Sequence, residues 1–270
     1  MSATIFERNL RDVERQLAQL TGLSITQASH PLVEHLVKAR QNYRMGDRIL
    51  GCARAAYAKL TVEDLREIGD YDDSLLAYFR RELRRPPTAD TYFGLRLEIH
   101  IAKTLIHHAI LFGKSETPDF KLTALPSHGI ECTSAHIDLQ NTKEPGSVIR
   151  KIEYAINNKN SYNYSTKFTL LAIDVSNLLF HEGQKECAKI LHDKDKAIQA
   201  LSKTVSNSRF QSVVYLYYDW DEVTGGNGVD LQSNHTRIDR DCIDSNTAKI
   251  LDSIFHKGDV WKWGSFFMTT

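Results

Sequence analysis

Two runs in the second half of the chain constrain its fold most. Thr169-Leu170-Leu171-Ala172-Ile173-Asp174-Val175 and Ser212-Val213-Val214-Tyr215-Leu216-Tyr217-Tyr218 are almost unbroken in apolar and aromatic residues. A short run that is apolar at successive positions is a strand covered on both faces. Between them, residues 184–206 carry a helical pattern. Buried strands alternating with helices predict an α/β core, a mixed central sheet flanked by helices.

The first part of the chain reads differently. Ile5, Leu10, Val13, Leu17 and Leu20 recur at helical spacing. Pro31 opens a second helix, and a third runs from Asp47 to Leu60. Thr61-Val62-Glu63-Asp64 has the form of an N-cap with acids in the first turn, and Ser74 to Leu83 makes a further short helix. Pro86-Pro87 stops the helical region, because each proline fixes φ and lacks an N–H. The expected organisation is an α-helical N-terminal region over 1–87 and an α/β domain over 88–270.

With 270 residues, 41% of them hydrophobic, the chain can bury a sizeable core. Lys plus Arg and Asp plus Glu number 34 each, so any basic surface is local rather than global. Cys52, Cys132, Cys187 and Cys242 are scattered without a C-x-x-C pair, which argues against a disulfide framework or a zinc knuckle. The N-terminus has no apolar signal core, and no apolar run is long enough to span a membrane. The expectation is a reduced, cytoplasmic setting with no membrane partner.

The chemistry concentrates just after the Pro-Pro break. An apolar-periodic helix over Tyr92–Leu111 carries Glu98 at the border of its Leu95, Ile99, Ala102, Leu105 and Ile106 stripe. Strands are expected near Ile110–Phe112, Asp119–Thr123 and Ile130–Ser134, so Asp119 and Glu131 fall on neighbouring strands. Two carboxylates brought that close repel, and a divalent cation relieves the repulsion. Oxygen ligands of this kind suit Mg²⁺ or Mn²⁺, which polarises a phosphate and activates water for phosphodiester hydrolysis. On the following helix, from Ser147 to about Asn160, Val148, Ile152, Ala155 and Lys159 share one face at about 100° per residue, while Lys151 lies off its edge.

The order helix acid, Pro118-Asp119, Glu131-Cys132-Thr133, helix resembles the PD-(D/E)XK nuclease superfamily between Ala89 and Tyr217. That resemblance implies a restriction-endonuclease-like fold and a Mg²⁺- or Mn²⁺-dependent nuclease acting on DNA or RNA, of a kind used in bacterial or phage defence. It also implies metal ligands Asp119, Glu131, Glu98 and the Cys132 or Ile130 carbonyl. The family's strand lysine falls at Thr133, which carries no charge. Some relatives move the basic group to the next helix, which points to Lys159 ahead of Lys151, with Thr133 left to hydrogen-bond a water or phosphate. The alternative expectation is a catalytically inactive nuclease-like module that binds nucleic acid or protein. A third is a partner protein bound through the N-terminal helices.

Other chemistries lack their motifs. There is no H-E-x-x-H, adjacent His107 and His108 point about 100° apart, and no G-x-x-x-x-G-K-[ST] loop is present. A Cys132 nucleophile is disfavoured, because an acidic pocket opposes its thiolate. Two further stretches can meet nucleic acid. One is the arginine pairs Arg80-Arg81 and Arg84-Arg85. The other is Asn157 to Tyr164, which mixes amide, basic and aromatic groups.

Overall fold

The computed structural model describes residues 2–27, 29–85, 88–135, 146–177, 190–223, 228–241, 243–255 and 260–267. It divides into two compact units: one of residues 1–103, 219–233 and 261–270, the other of residues 104–218 and 234–260. The division differs from a cut at 87, because contacts cluster by spatial packing. The first unit keeps the helix after the Pro-Pro break and regains two later segments. Among the described residues no helix is long and apolar enough to cross a membrane.

The first unit is built from α1 (Ser2–Thr21), α2 (Pro31–Arg44), α3 (Arg48–Tyr71), α4 (Asp73–Arg84) and α5 (Ala89–His107) as far as Lys103. On α1, Phe6, Leu10, Val13 and Leu17 are buried at i, i+4, i+7 and i+11. His30 caps α2 by accepting the Leu32 N–H at 3.2 Å. Asp47 caps α3 through the Leu50 N–H at 3.2 Å, and Asp72 caps α4 through those of Ser74 and Leu75. Thr61 starts no helix. It lies inside α3, buried, with its hydroxyl donating to the Tyr57 carbonyl at 3.2 Å. The apolar face of α3 continues through Leu60, Leu65 and Ile68, and burying it outweighs the local capping signal.

The second unit takes the end of α5, then β1 (Phe112–Lys114), β2 (Phe120–Leu122), β3 (Gly129–Ser134), α6 (Gly146–Asn160), β4 (Thr169–Asp174) and α7 (Lys194–Asn207). There follow β5 (Ser212–Glu222) to Tyr218, β6 (Gly228–Asp239) from Asn234, and α8 (Ser245–Ile254). The sheet order is β1-β2-β3-β4-β5-β6, continued by β7 (Val260–Phe267). β1–β2 and β2–β3 are antiparallel, whereas β3–β4 and β4–β5 are parallel, so the sheet is mixed. Val148, Ile152, Ala155 and Ile156 of α6 pack with Ala197, Leu201 and Val205 of α7 against Leu171, Ile173, Val213 and Tyr215 of the sheet.

Several boundaries depart from expectation. α5 ends at His107, and Ala109 turns the chain with φ 53°, so β1 begins at Phe112 rather than Ile110. Asp119 stands just ahead of β2 instead of inside it. Strand β6 and helix α8 were not expected. The alternation of β6 is hidden by buried Ser233, Asn234, His235, Thr236 and Arg237. The start of the helix expected over 184–206 lies outside the described residues.

The β2–β3 register depends on one close approach. A Cβ on Gly129 would run into the Pro118 ring and meet the Phe120 carbonyl oxygen at 2.8 Å. Gly129→Ala therefore overpacks the hairpin. It is expected to destabilise the protein by about 1–3 kcal/mol, read as a lower urea midpoint at unchanged slope. A wild-type midpoint would show that the strands part without cost.

Candidate functional site

Phe120 pairs with Ile130 across β2–β3, which sets Asp119 opposite Glu131. Asp119 is anchored at both oxygens. Oδ2 accepts the Cys132 N–H at 2.7 Å, and Oδ1 accepts the Lys114 ammonium at 3.1 Å. The N–H and C=O of one strand residue point to the same edge, so the Cys132 carbonyl also faces Asp119. The Cys132 side chain itself is buried.

Glu131 is buried on β3, beside Leu171 of β4. Its Oε1 accepts the Lys159 ammonium at 2.7 Å, while Oε2 is buried with no hydrogen bond of good geometry, the Tyr164 phenol being the polar group beside the carboxylate. Lys159 arrives from the last turn of α6, three and four residues beyond the buried Ile156 and Ala155. Its ammonium lies 5.7 Å from the Tyr162 ring centre and 5.8 Å from that of Tyr164.

Burial pushes the Glu131 carboxyl above its ordinary range, and the nearby Asp119 charge pushes the same way, against the pull of Lys159. Burial works against the Lys159 charge, yet its hydrogen bond and charge pairing with Glu131 leave its ammonium held above the usual lysine value. The Tyr164 phenol is pushed up to about 12 by burial and by the Glu131 carboxylate.

The candidate residues separate clearly. Asp119, Glu131, the Cys132 backbone and Lys159 come together. Thr133 is half-buried two residues along β3 from Glu131, hence on the same face. Lys151 is exposed on the outer side of α6. Glu98 is half-buried on α5 in the first unit, whereas the cluster is built from the second. Lys114 was not anticipated. Its only signal is that β1 pairs with β2, setting Lys114 opposite Phe120, one residue from Asp119.

The arginine pairs serve the fold. Arg80 donates from Nε to the Leu20 carbonyl and Arg84 to that of Thr21 at 2.7 Å, satisfying carbonyls at the C-terminus of α1. Arg81 and Arg85 pair with Glu82 at 3.1 and 2.8 Å. His100 is buried against Asp64, which also holds Arg96 at 2.9 Å. Among the described residues no three His, Cys, Asp or Glu side chains converge as a metal cluster. Mg²⁺ needs only one or two carboxylates, completing its shell with water and phosphate. The facing Asp119 and Glu131, with Oε2 buried and lacking a hydrogen bond of good geometry, fit that requirement. Neither family models, curated proteins nor solved structures gave a match to this chain.

The ion pair can be tested at Glu131 itself. A carboxyl held above its ordinary value keeps its proton in the fold, so stability falls as pH rises from the ordinary Glu value through the folded midpoint. Lys159→Met removes the ammonium that pulls this midpoint down. It is expected to raise the Glu131 midpoint further, as followed by ¹³C NMR of the side-chain carboxyl. An unmoved midpoint would exclude the contact.

Proposed function

We propose that the second unit is a PD-(D/E)XK-type nuclease domain of restriction-endonuclease-like fold that hydrolyses phosphodiester bonds of DNA or RNA with Mg²⁺ or Mn²⁺. One observation carries this reading: a buried Glu131, paired with a helix-borne lysine and retaining one oxygen without a hydrogen bond of good geometry, faces Asp119 across a two-strand register. Asp119, Glu131 and the Cys132 carbonyl would hold the cation, which supplies Lewis acidity toward the phosphate and lowers the pKa of a water. Glu98 enters only as the helix carboxylate that the family pattern implies.

The chain's own groups do the positioning. The Cys132 N–H and Lys114 fix the Asp119 carboxylate, so little reorganisation is needed as a phosphate arrives. Lys159 is held charged beside Glu131 and carries its ammonium to where phosphate charge develops, the role left empty by Thr133. Because Glu131 must lose its proton to bind a cation, metal affinity rises with pH through the Glu131 midpoint.

A second reading has its own observation. Each carboxylate already carries an ammonium, Lys114 on Asp119 and Lys159 on Glu131, so lysines can replace the metal in an inactive nucleic-acid-binding module. Calorimetry with Mn²⁺ separates the two readings. Heat of binding that is lost in both Asp119→Ala and Glu131→Ala supports the nuclease, and no binding supports the inactive module.

Cleavage of plasmid, single-stranded DNA and RNA tests the proposal directly. Asp119→Ala and Glu131→Ala are each expected to abolish cleavage. Lys159→Ala is expected to slow it about 10²–10³-fold, the usual loss for one preorganised charge-stabilising donor. Mn²⁺ affinity should stay near wild type in that variant. Lys151→Ala should cleave at nearly the wild-type rate, and Thr133→Lys should restore part of the activity lost in Lys159→Ala. Activity that survives both carboxylate substitutions would sink the site.

A further inference from the structure

Lys159 joins the carboxylate pair to a second surface. Beyond α6, Tyr162 and Tyr164 stack with ring centres 5.3 Å apart and planes 12° from parallel. Tyr164 is half-buried against Glu131 and Lys159, which makes it the fixed partner. Tyr162 lies on top and is 47% exposed. A half-buried tyrosine holding an exposed one nearly parallel presents a flat aromatic surface already ordered before any ligand binds.

The helix that precedes this surface adds polar and aromatic groups. Arg150, Tyr154, Asn157 and Asn158 are exposed at i, i+4, i+7 and i+8 along α6, so they share the outer face of the helix that precedes Tyr162. Tyr154 is 69% exposed, a second large ring on the same face. Cationic and amide groups that suit phosphates, interleaved with aromatic rings that suit bases, are the chemistry of a single-strand track. A duplex keeps its bases stacked on one another and offers such rings nothing but its terminal pairs.

Building on the nuclease reading, we propose that the site takes an unpaired nucleotide, with its base stacked on Tyr162 and the adjoining phosphate directed toward Lys159. The preferred substrate is then single-stranded nucleic acid, or strands splayed from a duplex.

The test measures binding without turnover, using the full chain in EDTA. Fluorescence anisotropy compares labelled oligothymidylate, oligouridylate, an abasic strand of equal length and a blunt duplex. The base-bearing strands are expected to bind more tightly than both the abasic strand and the duplex. A preference between the DNA and RNA strands identifies the sugar. Tyr162→Ala should weaken single-strand binding roughly 5- to 150-fold, the range for loss of one base–aromatic stack. Tyr162→Trp should retain binding, and the abasic strand should not distinguish the three proteins. Equal affinity for abasic and base-bearing strands, or wild-type affinity in Tyr162→Ala, overturns the inference. This outcome is separable from failure of the nuclease reading. Binding that follows these expectations without cleavage in Mg²⁺ sinks that reading alone, and cleavage with unchanged Tyr162→Ala binding sinks this inference alone.

Discussion

Everything at the candidate site depends on the apolar seam between α6 and the parallel strands. Val148, Ile152, Ala155 and Ile156 bury against Leu171, Ile173 and Val213, which fixes both the height and the rotation of the helix. Only then does a side chain one turn further on reach a carboxylate on the neighbouring strand. The Lys159–Glu131 pair is a result of that packing more than a cause of it. A half-buried ion pair gains modest energy after desolvation, whereas the seam removes many methylene groups from water.

The same seam explains why the site holds charge that the fold does not favour. Glu131 is driven toward neutrality by burial and by Asp119. An ammonium delivered to one of its oxygens opposes that shift. The first unit handles buried charge differently: Asp64 meets Arg96 and His100 and is held below its ordinary range despite burial. One buried acid is held ionised by its neighbours, and the other is left open to perturbation. That contrast is expected between a structural ion network and a site able to bind a ligand.

How much was legible in the sequence follows from what each element depends on locally. Runs such as Thr169–Val175 announced β4 because a doubly buried strand needs apolar residues at successive positions. Rotation about α6 was legible because three buried residues fix a helical phase, and that phase carries to Lys159. Thr61 misled, since a capping residue inside a helix looks the same in sequence when tertiary burial keeps the helix going. β6 was hidden because many of its buried positions are filled by Ser, Asn, His, Thr and Arg, and Arg237 meets its burial through partners distant in sequence, Asp252 and the Phe255 carbonyl. Lys114 was illegible for a related reason. Its link to Asp119 exists only through the pairing of a three-residue strand. The arginine pairs had a plausible ligand in phosphate, and the helix carbonyls that take two of them leave no trace in composition.

The missing side chain at Gly129 has a consequence beyond local fit. In a ladder with period two, a one-residue slip of β3 would exchange Glu131 for Ile130 or Cys132 on the face opposite Asp119. It would also bring a residue bearing a Cβ to the place where the Pro118 ring and the Phe120 carbonyl leave no room. The wrong registers meet that steric penalty, which favours the placement of two mutually repelling carboxylates without any attraction between them. A hairpin of this kind works as a mechanical gauge: it measures out the spacing of its charges with an empty position, and can hold them there through any change in their ionisation.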